Sequence, residues 1–354
     1  MVLVFALCAV IWGVGALMRV PNNARLLMIG VLYVVVLAVH VVLPDGHPLR
    51  MATGESPALW LILGGFVGLV VLYRGLLMKL RARVEIAEEQ SAEAAPKAPA
   101  FNETELNRYA RHMVLREIGG LGQKRLKEAR VLVIGAGGLG APVLQYLAAA
   151  GVGTIGVIDD DVVENTNLQR QVIHPDAAIG MPKVQSAKLA MEAQNPYVTV
   201  RPYQRRLTEE IAADLFADYD LVLVGTDNFD TRYLVNRTAV SCGMPLISGA
   251  LSQWEGQLSV FDPAQGAPCY QCVFDSAPAA DLAPSCAEAG VLGPLPGVVG
   301  AMMAVEAIKI VTGAGTVLRG QMVIYDALYG ESRTLAVKRR ADCPVCSGVS
   351  AIAS

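Results

Sequence analysis

The feature that most constrains this chain is an apolar strand followed by a glycine-rich turn, a helix and a second strand. Residues 131–161 read VLVIGAGGLGAPVLQYLAAAGVGTIGVIDDD. The first run is continuous and β-branched, which is typical of a parallel strand buried on both faces. The glycines allow a sharp turn and let backbone N–H groups approach a phosphate at the start of the helix. The pattern predicts an α/β fold with a Rossmann-like, doubly wound and mostly parallel sheet.

The end of the second strand adds a candidate ligand for a nucleotide. Asp159 stands about 20 residues after the turn, where a carboxylate can accept hydrogen bonds from ribose hydroxyls. Gly138 lies within the turn itself. A nicotinamide dinucleotide and ATP both fit such a unit. This stretch therefore predicts nucleotide binding and leaves the identity of the nucleotide open.

Polar residues after the next strands favour a triphosphate. The segment ENTNLQRQ places Asn167 and Arg170 directly after the acidic strand end, and IGMPK adds Lys183. Two cations and an amide would stabilise negative charge that develops on a triphosphate, whereas a nicotinamide cofactor needs no such cluster. A further strand, YDLVLVGTDN, ends at Asp227 and Asn228. Open α/β sheets bind ligands at these carboxyl ends, and a carboxylate there could hold Mg²⁺ against phosphates.

The cysteines indicate a metal site in a reducing compartment. Cys269 and Cys272 form one Cys-x-x-Cys pair, and Cys343 and Cys346 form another. Four thiolates are the ligand set of a closed structural zinc site, although two independent pairs of reduced thiols have the same sequence pattern. The odd total of seven cysteines argues against a disulfide framework. Cys286 stands apart, in a Pro- and Gly-rich segment that predicts a loop.

The N-terminal region predicts a membrane anchor. Apolar runs cover about residues 1–18, 26–43 and 58–73, separated by short polar loops. A helix of about 18 residues spans roughly 27 Å, close to the hydrocarbon thickness of a bilayer. We therefore expect three transmembrane helices within residues 1–80.

Loop charges predict how these helices are oriented. The first loop carries Arg19 and Arg25 and no acid, and the third run is followed by a basic segment that includes Arg74 and Lys79. The second loop has one arginine against two acids. Because positive residues stay on the cytoplasmic side, we expect a multi-pass protein of the inner membrane whose catalytic part faces the cytoplasm.

The rest of the chain divides by composition. Residues 81–100 are rich in Ala, Glu and Pro and predict a linker. Residues 101–346 hold the glycine turn, the polar strand ends and the cysteine pairs, and residues 347–354 form a short tail. The net charge is −3, and this part has no basic block, which argues against a nucleic-acid partner.

Nine motifs in residues 101–346 resemble one known family. They are LNRYARHMVLREIGGLG, GAGGLG, TNLQRQVIH, GMPKVQSA, GTDN, EGQLSVF, CYQC, CAEAGVLGPLPGVVG and CPVC, in that order. The chain resembles the MoeB/ThiF (HesA/MoeB/ThiF) adenylyltransferases, relatives of ubiquitin-activating enzymes, and most of all the MoeB branch. This resemblance implies that the nucleotide is ATP with Mg²⁺. It also implies that the substrate is the C-terminal Gly-Gly carboxylate of a ubiquitin-like sulfur carrier of the MoaD or ThiS type. The products are then an acyl-adenylate and pyrophosphate, made for molybdopterin cofactor biosynthesis or, as an alternative, for thiamine biosynthesis.

The resemblance also assigns roles to individual residues. The ATP-binding positions that it implies are Gly138, Asp159, Thr166, Asn167, Leu168, Gln169, Arg170, Lys183, Asp227 and Asn228. Arg111 matches an arginine that reaches the ATP of the other subunit in a homodimer, and it joins Arg170, Lys183 and Asp227 as a catalytic candidate. All four paired cysteines match zinc ligands. Cys286 matches a cysteine that forms a thioester or acyl-disulfide with the carrier in some relatives and is dispensable in others.

Other interpretations differ in class. A related enzyme that adenylates a tRNA-linked carboxylate is disfavoured by the two Cys-x-x-Cys pairs and the absence of a basic face. An NAD-dependent oxidoreductase is disfavoured by the cluster at Asn167, Arg170 and Lys183. A catalytically silent membrane scaffold would not need every polar position of the motifs. Because no sulfur-donating segment follows residue 346, we expect the donor to be a separate protein.

Overall fold

The computed structural model describes residues 2–54, 56–94, 100–278 and 289–350. The chain divides into two compact units, Met1–Ala98 and Pro99–Ser354.

The N-terminal unit is helical. It contains α1 (Val2–Leu17), α2 (Asn22–Val42), α3 (Pro48–Thr53) and α4 (Pro57–Ala94). All three apolar runs found in the sequence lie in helices, and Val4, Val36 and Trp60 form a small buried cluster between them. Most other large apolar side chains of these helices are exposed. By length and composition, α2 and residues Pro57–Lys79 of α4 are each able to cross a membrane, and α1 is a shorter apolar helix.

The C-terminal unit alternates helices and strands. Its helices are α5 (Glu103–Met113), α6 (Gly119–Glu128), α7 (Gly140–Ala150), α8 (Lys183–Gln194), α9 (Glu209–Ala217), α10 (Phe229–Ser241), α11 (Tyr270–Val273) and α12 (Pro294–Thr312). Its strands are β1 (Arg130–Ile134), β2 (Thr154–Ile158), β3 (Thr199–Tyr203), β4 (Leu221–Val224), β5 (Leu246–Leu251), β6 (Glu255–Phe261), β7 (Gln321–Asp326) and β8 (Glu331–Ala336).

These eight strands form one mixed sheet in the order β3-β2-β1-β4-β5-β6-β7-β8. The first five strands of that order are parallel, which confirms the predicted α/β sheet. The last three are antiparallel, so the sheet is less parallel than predicted. The strand order reverses between β1 and β4, and a crevice for ligands opens at such a switch point.

Helix α12 is apolar enough to resemble a membrane span by composition, yet half of it is buried within the C-terminal unit. Its side chains Met303 and Val299 lie directly over Gly249 of β5 and Gly256 of β6. Any side chain at either glycine would overlap them, so these two glycines let the helix approach the sheet. The apolar character of α12 therefore serves the hydrophobic core.

Candidate nucleotide-binding and cysteine sites

The turn after β1 has a shape that only glycine permits. Gly135 adopts a φ of +96°, in the left-handed region that L side chains avoid. A Cβ at Gly140 would overlap the carbonyl oxygen of Gly135, and one at Gly138 would come within 3.1 Å of Pro296 Cβ. The turn is thus tightly closed, and it leads directly into the N-terminus of α7, where backbone N–H groups favour anions.

Asp159 holds this turn at one peptide group. Its Oδ2 accepts a hydrogen bond from the Ala136 N–H at 2.7 Å, and its Oδ1 accepts one from the Asp161 N–H at 2.9 Å. Burial raises the pKa of Asp159, while the two backbone donors and the charge of Lys183 act against that rise. Each carboxylate oxygen keeps a free lone pair, so Asp159 is able to accept a ribose hydroxyl as well.

His174 contacts the carbonyl group of the same residue, Ala136, a contact that the sequence did not predict. Its Nε2 lies 2.9 Å from the Ala136 carbonyl oxygen and its Nδ1 lies 2.9 Å from Ser186 Oγ. Because a carbonyl only accepts, Nε2 carries the proton and Nδ1 accepts from the serine. Burial lowers the pKa of His174 and favours this neutral form. The sequence gives no signal for this role, because His174 and Ala136 are 38 residues apart in the chain.

Arg170 and Asn167 come together in the loop after β2. The Arg170 Nη2 donates to Asn167 Oδ1 at 2.9 Å, and its Nη1 donates to the Thr166 carbonyl at 3.3 Å. A Cβ at Gly138 would lie 3.7 Å from Arg170 Cγ, so the arginine stem borders the glycine turn. The neighbouring Leu168 is half-buried and Gln169 is exposed.

Lys183 begins α8 with a nearly buried side chain. Its Nζ lies 2.7 Å from Asp161 Oδ2, and its side chain is 6% exposed. Its charge lowers the pKa of both Asp159 and His174, after the larger effects of burial and backbone hydrogen bonds. Lys183 is therefore a cation at the edge of the crevice, held by an acid that is itself 65% exposed.

The end of β4 brings Asp227 to the same crevice. A Cβ at Gly225 would come within 2.7 Å of Leu139 Cβ, so the strand end lies against the glycine turn. Asp227 follows with an exposed carboxylate. Asn228 instead caps α10, because its Oδ1 accepts the Thr231 N–H at 2.9 Å. This cap gives Asn228 a structural role besides its predicted nucleotide contact.

The four paired cysteines form a single buried cluster. Their Sγ atoms are 3.8 Å apart between Cys269 and Cys272, 3.6 Å between Cys269 and Cys343, and 3.3 Å between Cys272 and Cys346. Two independent thiol pairs are therefore the wrong interpretation. Four sulfurs at about 2.3 Å from a tetrahedral zinc ion would be roughly 3.8 Å apart, so the set fits zinc.

The surroundings of the cluster raise the pKa of one thiol and lower the pKa of another. Burial raises the pKa of Cys269, and proximity to Cys272 raises it further. Burial acts in the same direction on Cys343, but hydrogen bonds from the backbone N–H groups of Cys346 and Val345 and from the Cys269 and Cys272 thiols together lower its pKa to about 7. Backbone donors aimed at sulfur suit thiolates, which are the form that binds a metal.

Comparisons with known proteins agree with this geometry. The model of the ThiF family matches residues 109–345. The chain is 50% identical over 250 residues to the sulfur carrier protein adenylyltransferase of Thermus thermophilus, covering 70% of this chain and 92% of that protein.

The chain belongs to the ThiF family.

Other members of the ThiF family show where the match ends. The chain is 50% identical to the probable adenylyltransferase/sulfurtransferase MoeZ of Mycobacterium tuberculosis over 70% of this chain, but it spans only 64% of MoeZ. Among solved structures, E. coli MccB with ATP superposes with a TM-score of 0.60 at 26% identity, covering 70% of this chain and 75% of that one. None of these alignments covers the full length of the present chain.

The family resemblance also implies roles for Arg111 and Cys286. Arg111 is exposed near the end of α5, and its side chain makes no hydrogen bond or ion pair among the described residues. Cys286 falls in residues 279–288, outside the described residues. The catalytic roles of both stay predictions.

The antiparallel half of the sheet carries a groove that sequence reasoning did not find. It has a volume of about 260 Å³ and lies on the sheet face opposite α12. Its floor includes one register row across four strands: Ala250, Gln257, Ile324 and Arg333. The signal was absent because cross-strand neighbours are set by register and not by sequence spacing.

Proposed function

We propose that this ThiF-family adenylyltransferase transfers AMP from ATP to the C-terminal Gly-Gly carboxylate of a ubiquitin-like sulfur carrier. The observation that carries the proposal is the crevice in which the glycine turn, Asp159, Arg170 and Lys183 meet the end of β4. The 50% identity to a sulfur carrier protein adenylyltransferase supports the substrate class.

The chemistry follows from the charges around the crevice. A carboxylate oxygen of the carrier attacks the α-phosphorus of ATP, forming the acyl-phosphate bond. The bond from the α-phosphorus to its bridging oxygen breaks, and its electron pair leaves with pyrophosphate. Lys183, Arg170 and the N-terminus of α7 would stabilise the negative charge that builds up during this step. Asp227 would hold Mg²⁺, which would neutralise phosphate charge.

The groove on the antiparallel half supplies a path for the carrier's tail. It is bordered by Ala250, Leu251 and Ser252 at the carboxyl end of β5, which is the sheet edge that holds the nucleotide turn. An extended tail lying there would bring its terminal carboxylate toward that edge. Among carriers, we favour a MoaD-like protein of molybdopterin biosynthesis over a ThiS-like one.

The same proposal includes a homodimer in which Arg111 completes the partner's site. Its support is the side chain of Arg111, which is exposed and has no partner among the described residues, and exposed apolar residues that follow it in the chain. Val114 is 80% exposed and Leu121 is 76% exposed, and exposed apolar residues in such a group favour association.

We also propose that helices α1, α2 and α4 anchor the protein in the inner membrane with the catalytic unit in the cytoplasm. The exposed apolar side chains of these helices and the loop charges support this topology. A reporter fused near Gly46 should prove external and one near Gln90 internal. The opposite result at either site would overturn the orientation.

The experiment that tests the proposed reaction is carrier-dependent exchange of labelled pyrophosphate into ATP, with a panel of small proteins that end in Gly-Gly. Exchange with a MoaD-like carrier alone would confirm the favoured branch, and exchange with a ThiS-like carrier alone would reverse it. Absence of exchange together with oxidation or reduction of a nicotinamide cofactor would instead indicate an oxidoreductase. Trapping of a thioester at Cys286, or sulfur transfer from an added donor protein, would define the steps that follow.

A further inference from the structure

The least expected charged group in the C-terminal unit is Arg232 of α10. Its side chain is buried, with the residue only 4% exposed. Its Nη1 donates to Ser248 Oγ at 3.1 Å, and its Nη2 donates to the Gly249 carbonyl at 2.7 Å. One guanidinium therefore joins α10 to the carboxyl half of β5.

This arginine has no carboxylate partner among the described residues. Burial lowers the pKa of Arg232, and only the neighbouring Tyr270 phenol and the carboxylate of Asp227 act against it. A buried charge without an ion pair is costly. Arg319 offers the contrast, because its Nε lies 2.9 Å from the buried carboxylate of Asp262. Because Arg232 is buried without a carboxylate partner among the described residues, we look for its role in its position.

Its position links two strand ends of the crevice. The backbone N–H of Arg232 donates to the Asn228 carbonyl at 3.1 Å, in the first turn of α10, directly after Asp227. Ser248, its other partner, is the register neighbour of Val224 at the end of β4. The guanidinium, carried on the first turn of α10, thereby holds the helix that follows Asp227 against the strand that borders the groove.

The first Cys-x-x-Cys turn of the cysteine cluster contacts the same arginine through Tyr270. Tyr270 lies between Cys269 and Cys272 in the first Cys-x-x-Cys turn, and its N–H donates to Asn236 Oδ1 at 2.8 Å. Asn236 stands one turn after Arg232 on α10. The phenol of Tyr270 is buried beside the guanidinium. The cluster, Tyr270, Arg232 and the strand ends therefore form one continuous chain of contacts.

We propose that Arg232 is a positioning residue for adenylation, which keeps the Asp227 turn and the end of β5 in one geometry and places a positive charge beneath them. Tyr270, anchored by the cysteine cluster, holds Arg232 in place. This inference rests on the proposed adenylation function. Arg232 contacts neither ATP nor the carrier, so its effect is on the geometry of the reacting groups and on the potential around them.

The test compares variants of the full chain in carrier-dependent pyrophosphate exchange, with zinc content and melting temperature measured in parallel. Arg232→Gln removes the charge, and Arg232→Lys keeps the charge but cannot span both partners. We expect Arg232→Gln to lower kcat by about 10²-fold, as small misplacements of reacting groups do, with the KM for ATP changed less than about threefold. Arg232→Lys should recover part of that loss.

Tyr270→Phe keeps the ring and removes the hydroxyl, and Tyr233→Phe is its matched control. Tyr233 belongs to the same aromatic cluster, but its hydroxyl donates to the Phe274 carbonyl. We expect Tyr270→Phe to lower kcat by about tenfold at full zinc content, and Tyr233→Phe to leave it unchanged. This pair decides the matter if the Arg232 variants do not fold.

Wild-type kcat in Arg232→Gln, or equal kcat in the two tyrosine variants, would overturn the proposal. A wild-type protein without carrier-dependent exchange would contradict the proposed function itself, which separates the two failures.

Discussion

The nucleotide crevice and the cysteine cluster lie in one unit but are built in opposite ways. The crevice uses side chains at strand ends and in the segments that follow them, and Asp227 is exposed there. The cluster uses four thiols that are 8% exposed or less. This difference predicts that substitutions in the crevice lower the adenylation rate and leave the fold intact. Substitutions in the cluster should instead lower the stability of the fold first.

Breaking the cluster should have the largest effect. Replacing Cys343 and Cys346 together by Ser should release zinc and unfold or strongly destabilise the C-terminal unit, because structural zinc in small domains contributes on the order of 10 kcal/mol to folding. Metal analysis and thermal melting measure both. If this variant were free of metal and still fully stable, folding of the C-terminal unit would not depend on a bound ion.

Single changes in the crevice should have the next largest effect, and on the rate alone. Asp227→Ala should abolish adenylation with an unchanged melting temperature, because the carboxylate is exposed and makes no ion pair among the described residues. Arg170→Ala and Lys183→Ala should each cost about 10²–10³ in rate, the usual effect of removing one preorganised charge. Pyrophosphate exchange measures all three, and near-normal exchange in Asp227→Ala would remove this residue from the mechanism.

A mixture of two inactive variants tests a further difference, because only the crevice is proposed to include a residue of a second chain. An Arg111→Ala chain paired with an Asp227→Ala chain has one complete site, made from the intact arginine of one and the intact aspartate of the other. Random mixing gives half mixed dimers, and so about a quarter of wild-type sites. If no activity returns although subunit exchange is demonstrated, Arg111 does not act across the dimer.

The pH dependence of stability is a smaller effect, centred on the buried support of the glycine turn. Because burial lowers the pKa of His174 in the folded protein, its contribution to stability is fully present above its unfolded pKa of about 6.5. That contribution should decline as the pH falls from there toward the folded pKa. His174→Gln, which does not titrate, should flatten the profile. Denaturant unfolding between pH 7 and pH 5 measures the difference, and identical profiles would mean that another group dominates.

Removing residues 1–80 should have the smallest effect on either site. The crevice and the cluster both lie beyond Phe101, so the truncated protein should be folded, hold zinc and catalyse exchange at a near-wild-type rate. A folded, metal-bound and dimeric but inactive fragment would show that the N-terminal helices do more than anchor the chain.

The sequence by itself determined the parts of this protein that depend on local spacing. Gly135 and Gly140 close a turn within six residues, Asp159 ends the next strand, and each Cys-x-x-Cys pair is defined within one turn. The three apolar runs were sufficient to predict helices at α1, α2 and α4. In each case the physical cause lies among near neighbours in the chain, so a short stretch contains the whole argument.

Only the tertiary structure decided which distant groups meet. His174 donates a hydrogen bond to the Ala136 carbonyl, and Arg232 joins α10 to β5. The groove is lined by residues that the register of four strands brings side by side. The antiparallel end of the sheet was missed for the same reason, since strand direction depends on how distant segments pair. Burial then lowers the pKa of both His174 and Arg232, and burial is a property of the packed chain that no residue spacing encodes.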